Sequence, residues 1–476
     1  MQYDVAIVGS GPAGIFCALE LIKKKPDLKM VIIEKGKKIS RRHCPNTTAA
    51  RGCKKCNPCS ILAGWGGAGA FSDGKLTIST QVGGWLDEFI GENRLMDLIQ
   101  YVDGIYLDYG APEKVYGDDK DATEEYMRKA ALVGMQLIPQ QVRHMGREGC
   151  IDVMGSMYDH ILDHAEVKFN TEAKDIHVHD DTVTGLHTDA GELLKARYVV
   201  AAPGRIGNEW LSTQASRLNL DTENNYVDIG VRVEIPAPVM ADIAEALYEP
   251  KLIYYSQRFD DKVRLFCFNP GGVVTSEYYD EILTVNGQSF AHKKTQNTNF
   301  ALLVSTRFTA PFKEPIAYGQ HIARLANMLG DGVIVQRLAD LHRGKRSTKD
   351  RISRSPVQPT LPSSSPGDLS FALPYRHLSS IIEMLEALDQ LCPGVNGPGT
   401  LLYGVEVKFY SSRLKLKQSL ETQIANLYAA GDGAGITRGL MQASVSGVMI
   451  ARDILSKEGV DVELPNGERP NDHQVL

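Results

Sequence analysis

Apolar runs separated by glycine-rich turns predict the framework of this chain. Residues 3–8 (YDVAIV) and 30–33 (MVII) read as two strands, and the residues between them include an apolar helix. Strands buried on both faces of a parallel sheet are typically short, nearly continuous apolar runs of this kind. The pattern therefore predicts a βαβ unit at the start of the chain.

The turn after the first strand reads GSGPAG, and each of its glycines has a separate expected role. Gly9 permits the tight turn, Gly11 lets the backbone approach a pyrophosphate, and Gly14 lets the helix pack on the strand. Glu34 ends the second strand, where a carboxylate suits two ribose hydroxyls and repels a 2′-phosphate. The segment predicts a Rossmann-type dinucleotide site and argues against NADP in it.

Two later segments again place glycines after a short apolar strand. Residues 426–435 (NLYAAGDGAG) precede a small-residue helix from about Leu440 to Leu455, and this segment resembles the second FAD motif of glutathione-reductase-like flavoproteins. By that resemblance Asp432 is expected near the ribityl chain or pyrophosphate. Residues 196–204 (ARYVVAAPG) resemble the family's middle motif, with Pro203 where threonine is common. Three motifs in this order favour FAD over NAD as the tightly held cofactor.

The order of these motifs predicts an α/β chain with a discontinuous cofactor domain. Residues 1–84, 148–216 and 400–476 are expected to form a Rossmann-type FAD-binding domain, and residues 85–147 a helical cover. Residues 217–399 are expected to form an inserted α+β substrate domain, in which 227–235 and 263–268 have the pattern of strands. Because the sequence holds no second glycine fingerprint, no dedicated NAD(P)H domain is expected.

Composition and charge narrow the class of protein. The 476 residues, 43% of them hydrophobic, are enough for a large core and two or more domains, and a net charge of −6 gives no sign of a nucleic-acid partner. The first strand begins at once, which leaves no room for a signal peptide, and no apolar run reaches about eighteen residues. Eight cysteines are too few for a disulfide scaffold of this size. We expect a cytoplasmic protein without a membrane partner.

Half of the cysteines lie close together, at Cys44, Cys53, Cys56 and Cys59. Two-residue spacings let thiolates point to one centre, as they do around zinc or an iron–sulfur cluster. Basic neighbours such as Lys54 would also lower the thiol pKa values. Three interpretations stay open: a zinc or iron–sulfur site, a redox-active thiol pair, and unligated cysteines in a structural loop.

The next segment, residues 64–76, reads GWGGAGAFSDGKL. Its glycines allow backbone amides to lie against a ligand, and Ser72, Asp73 and Lys75 are candidates to contact the flavin edge or the substrate. Together with the cysteine-rich stretch it resembles a family labelled uncharacterised FAD-dependent dehydrogenases. Six more stretches carry the resemblance: 143–146, 230–234, 269–274, 285–289, 299–303 and 404–406. It implies a fold, FAD and a redox class, but no reaction.

The chain departs from that family's pattern at its last motif, which reads GDGAGITRG instead of GEGAGYAGG. Arg438, which this change introduces, is a candidate to stabilise anionic reduced flavin or a substrate carboxylate, with a structural arginine as the alternative. His144 is a candidate proton donor or a packed histidine, and Arg232 an anchor for an acidic substrate or half of an ion pair. Cys17 and Cys267 read as small core residues.

These observations predict an FAD-dependent oxidoreductase that transfers hydride between the flavin and a small organic substrate, with reduction of a C=C bond as the favoured reaction. The electron donor is expected to be NAD(P)H or a ferredoxin-like protein. The alternatives are an iron–sulfur or thiol redox flavoprotein that serves as an electron-transfer partner or sensor, and an FAD-dependent nucleic-acid-modifying enzyme. The candidate catalytic residues are His144, Arg438 and Lys75. The candidate cofactor contacts are Gly9, Gly11, Pro12, Ala13, Gly14, Glu34, Lys35, Gly66, Gly67, Ala68, Ser72, Asp73, Ala202, Gly204, Gly431, Asp432 and Gly435.

Overall fold

A computed structural model describes residues 2–44, 54, 56–223, 226–279, 281–290, 294–306, 308, 314–408 and 413–462. The helices are α1 (Pro12–Lys24), α2 (Asp87–Ile90), α3 (Glu92–Asp108), α4 (Lys120–Leu132), α5 (Gly146–Leu162), α6 (Asn208–Arg217), α7 (Ala241–Leu247), α8 (Pro315–Gly330), α9 (Leu338–His342), α10 (Lys349–Ser353), α11 (Tyr375–Leu391) and α12 (Leu440–Lys457). Among the described residues, no helix has the length and apolar character needed to span a membrane.

The strands follow the chain in this order: β1 (Gln2–Val8), β2 (Met30–Glu34), β3 (Lys75–Ile78), β4 (Val115–Tyr116), β5 (Met135–Ile138), β6 (Gln141–His144), β7 (Ala165–Phe169), β8 (Ala173–His179), β9 (Thr182–Thr188), β10 (Leu193–Ala201), β11 (Thr222–Glu223), β12 (Val227–Pro236), β13 (Lys251–Tyr255), β14 (Lys262–Asn269), β15 (Val273–Tyr279), β16 (Ile282–Gln288), β17 (Asn297–Thr306), β18 (Ile334–Arg337), β19 (Ser365–Pro366), β20 (Leu401–Lys408), β21 (Arg413–Leu414) and β22 (Leu427–Ala429).

The first sheet is the predicted Rossmann-type sheet. Its parallel part has the order β7-β2-β1-β10-β22, and the antiparallel strands β9 and β8 extend it beyond β10. Helices α1 and α12 pack tightly on each other, because a Cβ added at Gly447 would lie 2.1 Å from the carbonyl oxygen of Ala13. The N-terminal and C-terminal glycine motifs therefore belong to one structural unit.

The second sheet is almost entirely antiparallel, in the order β19-β18-β20-β12-β17-β14-β13-β5. Its central strands are buried on both faces, and α11 packs on β12 and β17. The predicted strands at 227–235 and 263–268 are confirmed as β12 and β14. A separate hairpin, β15 with β16, lies against this sheet. The predicted α/β fold with a second α+β unit is confirmed.

Two strands depart from the predicted domain boundaries. Strand β20 lies after the boundary at residue 400 but is central to the second sheet, where its whole length pairs with β12. Strand β5 lies in the segment predicted to be a helical cover, yet it forms the edge of the second sheet beside β13. Strands β4 and β6 of the same segment pair with each other, and β6 pairs with β3. Residues 85–147 therefore connect both units as well as covering them.

Candidate functional site

A large cavity of about 1120 Å³ lies between the two sheets. Its walls come from the three glycine motifs of the first sheet, the 60–75 segment, the β15–β16 hairpin and the loop at residues 360–363. Pockets for one small ligand usually measure about 300–1,000 Å³. The volume and the shared walls suit a dinucleotide together with a second, smaller molecule.

The first glycine motif behaves as its sequence predicts. Gly9 has φ +98°, and a Cβ there would lie 2.2 Å from the carbonyl oxygen of Ala202 on the neighbouring strand. A Cβ at Gly14 would lie 2.1 Å from the Gly9 carbonyl oxygen, so this glycine sets how closely α1 packs on β1. A Cβ at Gly11 would meet nothing nearer than Gly67 Cα at 3.9 Å, so the backbone there faces open space.

Helix α1 presents its N-terminus to that space. It begins at Pro12 with no acidic residue in its first turn, and no described side chain caps it. The first amides of a helix lack partners within the helix and attract anions. The open backbone at Gly11 and the uncapped helix start therefore fit a pyrophosphate.

Glu34 lies at the end of β2, on the cavity wall, and its carboxylate is held by backbone amides. Oε2 accepts hydrogen bonds from Ser10 N (3.1 Å) and Ser10 Oγ (2.7 Å), and Oε1 accepts from Gly36 N (2.7 Å) and Gly64 N (2.9 Å). The carboxylate thus connects the first glycine motif to the 64–76 segment. Binding of ribose hydroxyls would require some of these bonds to rearrange.

Asp432, in the C-terminal glycine motif, lies on the cavity wall. Its Oδ1 accepts a hydrogen bond from Thr437 Oγ1 at 3.0 Å. Burial raises the pKa of this carboxyl, and the charge of Arg205 and the Thr437 hydrogen bond oppose that rise. The position agrees with the contact expected for a ribityl chain or pyrophosphate, although the contact itself stays a prediction.

Most predicted site residues share this one cavity. On its wall lie Gly9, Gly11, Pro12, Ala13, Glu34, Lys35, Gly67, Ala68, Ser72, Asp73, Lys75, Ala202, Gly204, Gly431, Asp432, Gly435 and Arg438. Gly14, Gly66 and His144 are not among the described wall residues. Most of the predicted residues thus meet at one cavity, and their contacts with a cofactor stay a prediction.

Lys75 forms the centre of a buried charge cluster beside the cavity. Its ammonium group lies 3.0 Å from Asp73 Oδ2 and 3.2 Å from Glu249 Oε2, and it also donates to the carbonyl oxygen of Phe268. Burial alone would lower the pKa of Lys75, but the two carboxylates together raise it well above its ordinary value. One hydrogen bond and two ion pairs hold the ammonium group in place. Lys75 is therefore a fixed positive charge and not a proton acceptor.

His144 lies close to this cluster but not on the cavity wall. Its Nε2 is 2.8 Å from Tyr248 Oη and 3.1 Å from Ser289 Oγ, and its ring lies against the Tyr248 ring with a centroid distance of 4.5 Å. Burial lowers the pKa of His144 to about 4, against the opposing charge of Asp73. Of the two interpretations of His144, these contacts fit a neutral, packed histidine, and the proton-donor role stays a prediction.

Cys267 was interpreted as a core residue, but the structure places it on the cavity wall. It has φ +53°, at a point where the pairing of β14 with β17 shifts register. Glu249 Oε1 accepts a hydrogen bond from the backbone N–H of Cys267 at 2.9 Å, so one carboxylate contacts both this bulge and Lys75. The sequence contains no local signal for this, because Glu249 and Cys267 meet only through strand pairing.

Arg232 is the buried half of an ion pair and not a substrate anchor on the wall. Its Nε lies 3.1 Å from Glu406 Oε2, and its Nη1 and Nη2 donate to the Cys267 carbonyl oxygen and to Asn286 Oδ1. Both members of the pair are fully buried. Residues 230–234 (GVRVE) and 404–406 (GVE), two of the segments that carry the family resemblance, thus lie on neighbouring strands that share this ion pair.

Three of the four clustered cysteines, Cys44, Cys56 and Cys59, also lie on the cavity wall, and Cys53 lies outside the described residues. Within the described ranges, no group of three or more His, Cys, Asp or Glu side chains has an arrangement that suits a metal ion. The iron–sulfur or zinc interpretation therefore gains no structural support from these ranges.

Comparisons with known proteins agree with the cofactor prediction. Residues 227–409 match the sequence model of a family described as "FAD-dependent protein, C-terminal domain-like", and residues 4–49 match that of the lycopene cyclase proteins. A protein of Clostridium beijerinckii described as uncharacterized is 27% identical over 475 residues, which cover 95% of this chain and 80% of the relative.

Solved structures with a similar arrangement include a dehydrogenase and an oxidase. L-proline dehydrogenase from P. horikoshii has a TM-score of 0.42 and 12% identity, over 98% of this chain and 95% of that one. Glycine oxidase from Bacillus cereus has a TM-score of 0.39 and 14% identity, over 96% and 95%. We draw no conclusion from likeness at this level. The family match over residues 227–409, with the cavity walls, supports the predicted FAD-dependent enzyme, and the glutathione-reductase-like subclass stays a prediction.

Proposed function

We propose that this chain is an FAD-dependent oxidoreductase that exchanges hydride between the flavin and a small organic substrate. One observation carries the proposal: a single cavity has dinucleotide-binding loops on one side and strands of a second unit on the other. Ligand sites of such enzymes form where the loops at the carboxyl ends of parallel strands meet a second unit.

The residues divide the cavity by chemistry. The α1 N-terminus and Gly11 would hold the pyrophosphate, Glu34 a ribose, and Asp432 the ribityl or pyrophosphate region. Bound flavin would supply hydride transfer at its ring nitrogen. Asp73 and Lys75 would lie at the substrate end, where Lys75 stabilises negative charge from a fixed position.

Reduction or desaturation of a C=C bond is the reaction we favour. Reduction adds a hydride to one carbon and a proton to the other, so it needs a proton source near the substrate. Burial raises the pKa of the Cys267 thiol, which therefore keeps its proton at neutral pH on the cavity wall. Electrons would come from transiently bound NAD(P)H or a ferredoxin-like protein.

The test is the visible spectrum of anaerobically purified protein, with iron, sulfide and zinc assays on the same sample. We expect flavin absorbance without stoichiometric metal, and bleaching of that absorbance by an added reductant. If the purified protein holds no flavin and the apoprotein also fails to quench the fluorescence of added FAD, the proposal is wrong. Iron–sulfur absorbance would instead favour an electron-transfer role through the cysteine segment.

A further inference from the structure

One end of the cavity wall combines a guanidinium with aromatic rings. The Cζ atom of Arg438 lies 4.3 Å from the centre of the Trp85 ring and 5.2 Å from that of Tyr226. The two rings meet edge to face with centroids 6.3 Å apart. Arg438 and Trp85 both line the cavity. We call Trp85, Tyr226, Lys251 and Arg438 the cationic corner.

Backbone pairing fixes Arg438 and Trp85 side by side. Trp85 N donates to the Ile436 carbonyl oxygen at 3.0 Å, Arg438 N donates to that of Gly83 at 2.6 Å, and Gly84 pairs with Thr437 as an antiparallel bridge. The loop that leads into α12 is therefore joined to the 83–85 segment. A guanidinium that packs against Trp85 and is positioned by such pairing loses little freedom when it binds a ligand.

Positive charge exceeds negative charge around the corner. Nearby cations include Lys251, Lys262 and Arg264, of which Arg264 is paired with Asp228. Within the described residues, no carboxylate lies at ion-pair distance from Lys251 or Lys262, and Asp432 is the acid that faces Arg438. An anion that enters this end of the cavity would meet more cationic than anionic side chains.

Two titratable groups at the corner have pKa values below their ordinary values. Burial lowers the pKa of Lys251 to about 8, and Arg438 and Lys262 add to this effect against the opposing charge of Glu249. Burial alone would raise the pKa of the Tyr226 phenol, but Arg438 and Arg264 bring it below its ordinary value. The lowered pKa of Tyr226, against the effect of burial, is the direction that nearby positive charge produces.

We propose that the cationic corner binds a carboxylate of the substrate, so that the enzyme acts on a small organic acid. This inference rests on the proposed function, which it makes more specific. Arg438 would bind the carboxylate through its N–H groups, while the Trp85 ring packs against the guanidinium. Glu249, which joins Lys75 to the Cys267 backbone, also faces Lys251, so the corner adjoins the cluster at the substrate end.

The experiment uses the purified holoenzyme and a matched pair of probes, benzoate and its neutral analogue benzamide. Binding is followed by tryptophan fluorescence and by the difference spectrum of the flavin. We expect benzoate to bind and benzamide to bind at least about 10-fold more weakly, because one charge-assisted hydrogen-bonded pair is worth about that factor or more. R438Q should weaken benzoate binding by a similar factor, and R438K should retain part of it.

The matched control is R354Q, since the Arg354 side chain is 71% exposed at the surface. It should bind benzoate as the unmodified protein does. Equal affinity for benzoate in R438Q, equal affinity for acid and amide, or tighter binding of inorganic phosphate than of carboxylates would overturn the inference. The fluorescence readout does not need flavin, so loss of carboxylate binding and failure to bind FAD are separate results. R438K keeps the test valid if R438Q does not fold.

Discussion

Two alanine substitutions three residues apart should separate folding from cofactor binding. In G14A the new Cβ would lie 2.1 Å from the Gly9 carbonyl oxygen, far inside normal contact, so α1 must move away from β1. Alanine gains about 1 kcal/mol of helix propensity over glycine, but overpacking a core contact of this kind costs about 3 kcal/mol. The net result is a loss of about 2 kcal/mol of unfolding free energy.

In G11A the new Cβ meets nothing within 3.9 Å, and the backbone at φ −76° suits alanine. We expect a stability change of about 1 kcal/mol or less, from the weaker capping by alanine. The methyl group occupies the space in which a pyrophosphate would approach the backbone, so FAD affinity should fall by at least about 10-fold.

Urea denaturation of both apoproteins and quenching of FAD fluorescence measure the two effects separately. The expected pattern is a lower unfolding midpoint for G14A and a near-normal midpoint with weak FAD binding for G11A. If G11A binds FAD as tightly as the unmodified chain, or if both variants unfold at the same urea concentration, the assignment of the two glycines is wrong.

Three further predictions concern buried titratable side chains. K75M should destabilise the fold by about 3–5 kcal/mol in denaturant unfolding, because it leaves Asp73 and Glu249 buried without their cation, and E249Q should relieve part of that loss in the double variant. E34Q should lower stability by about 2–3 kcal/mol in the same assay, since an amide N–H replaces an oxygen that accepts from backbone amides. Burial lowers the pKa of His377 to about 4. Between about pH 4 and 6.5 the unfolded chain therefore binds more protons than the folded chain. About 3 kcal/mol of unfolding free energy should be lost as pH falls through that window. H377N should flatten this pH dependence, and H179N, at an exposed histidine, should not.

The structural features that could be predicted are those with a signal in the neighbouring residues of the sequence. The two strands of the first glycine motif are mainly apolar runs, and the role of Gly14 depends on Gly9, a few residues away. The small-residue helix after the last motif was placed correctly for the same reason.

The contacts that the sequence did not reveal are those made across strand pairs distant in the chain. Glu249 contacts Lys75 and Cys267 only after the second sheet has formed, and no sequence pattern near Glu249 predicts these contacts. Strand β20 was assigned to the wrong side of a boundary because an apolar run does not say which sheet it joins. Pairing partners are set by the whole fold, so periodicity alone leaves them open.

The close packing of α1 on α12 has a consequence for synthesis on the ribosome. Strand β1 pairs with β10, and β10 pairs with β22. Because these partners lie far apart in the chain, the parallel sheet is complete only after β22 has been synthesised. Long-range pairing of this kind folds slowly. An unfinished chain that ends before the C-terminal glycine motif lacks the wall that carries Asp432 and Arg438 as well as α12, so the cofactor can bind fully only after translation has passed this helix.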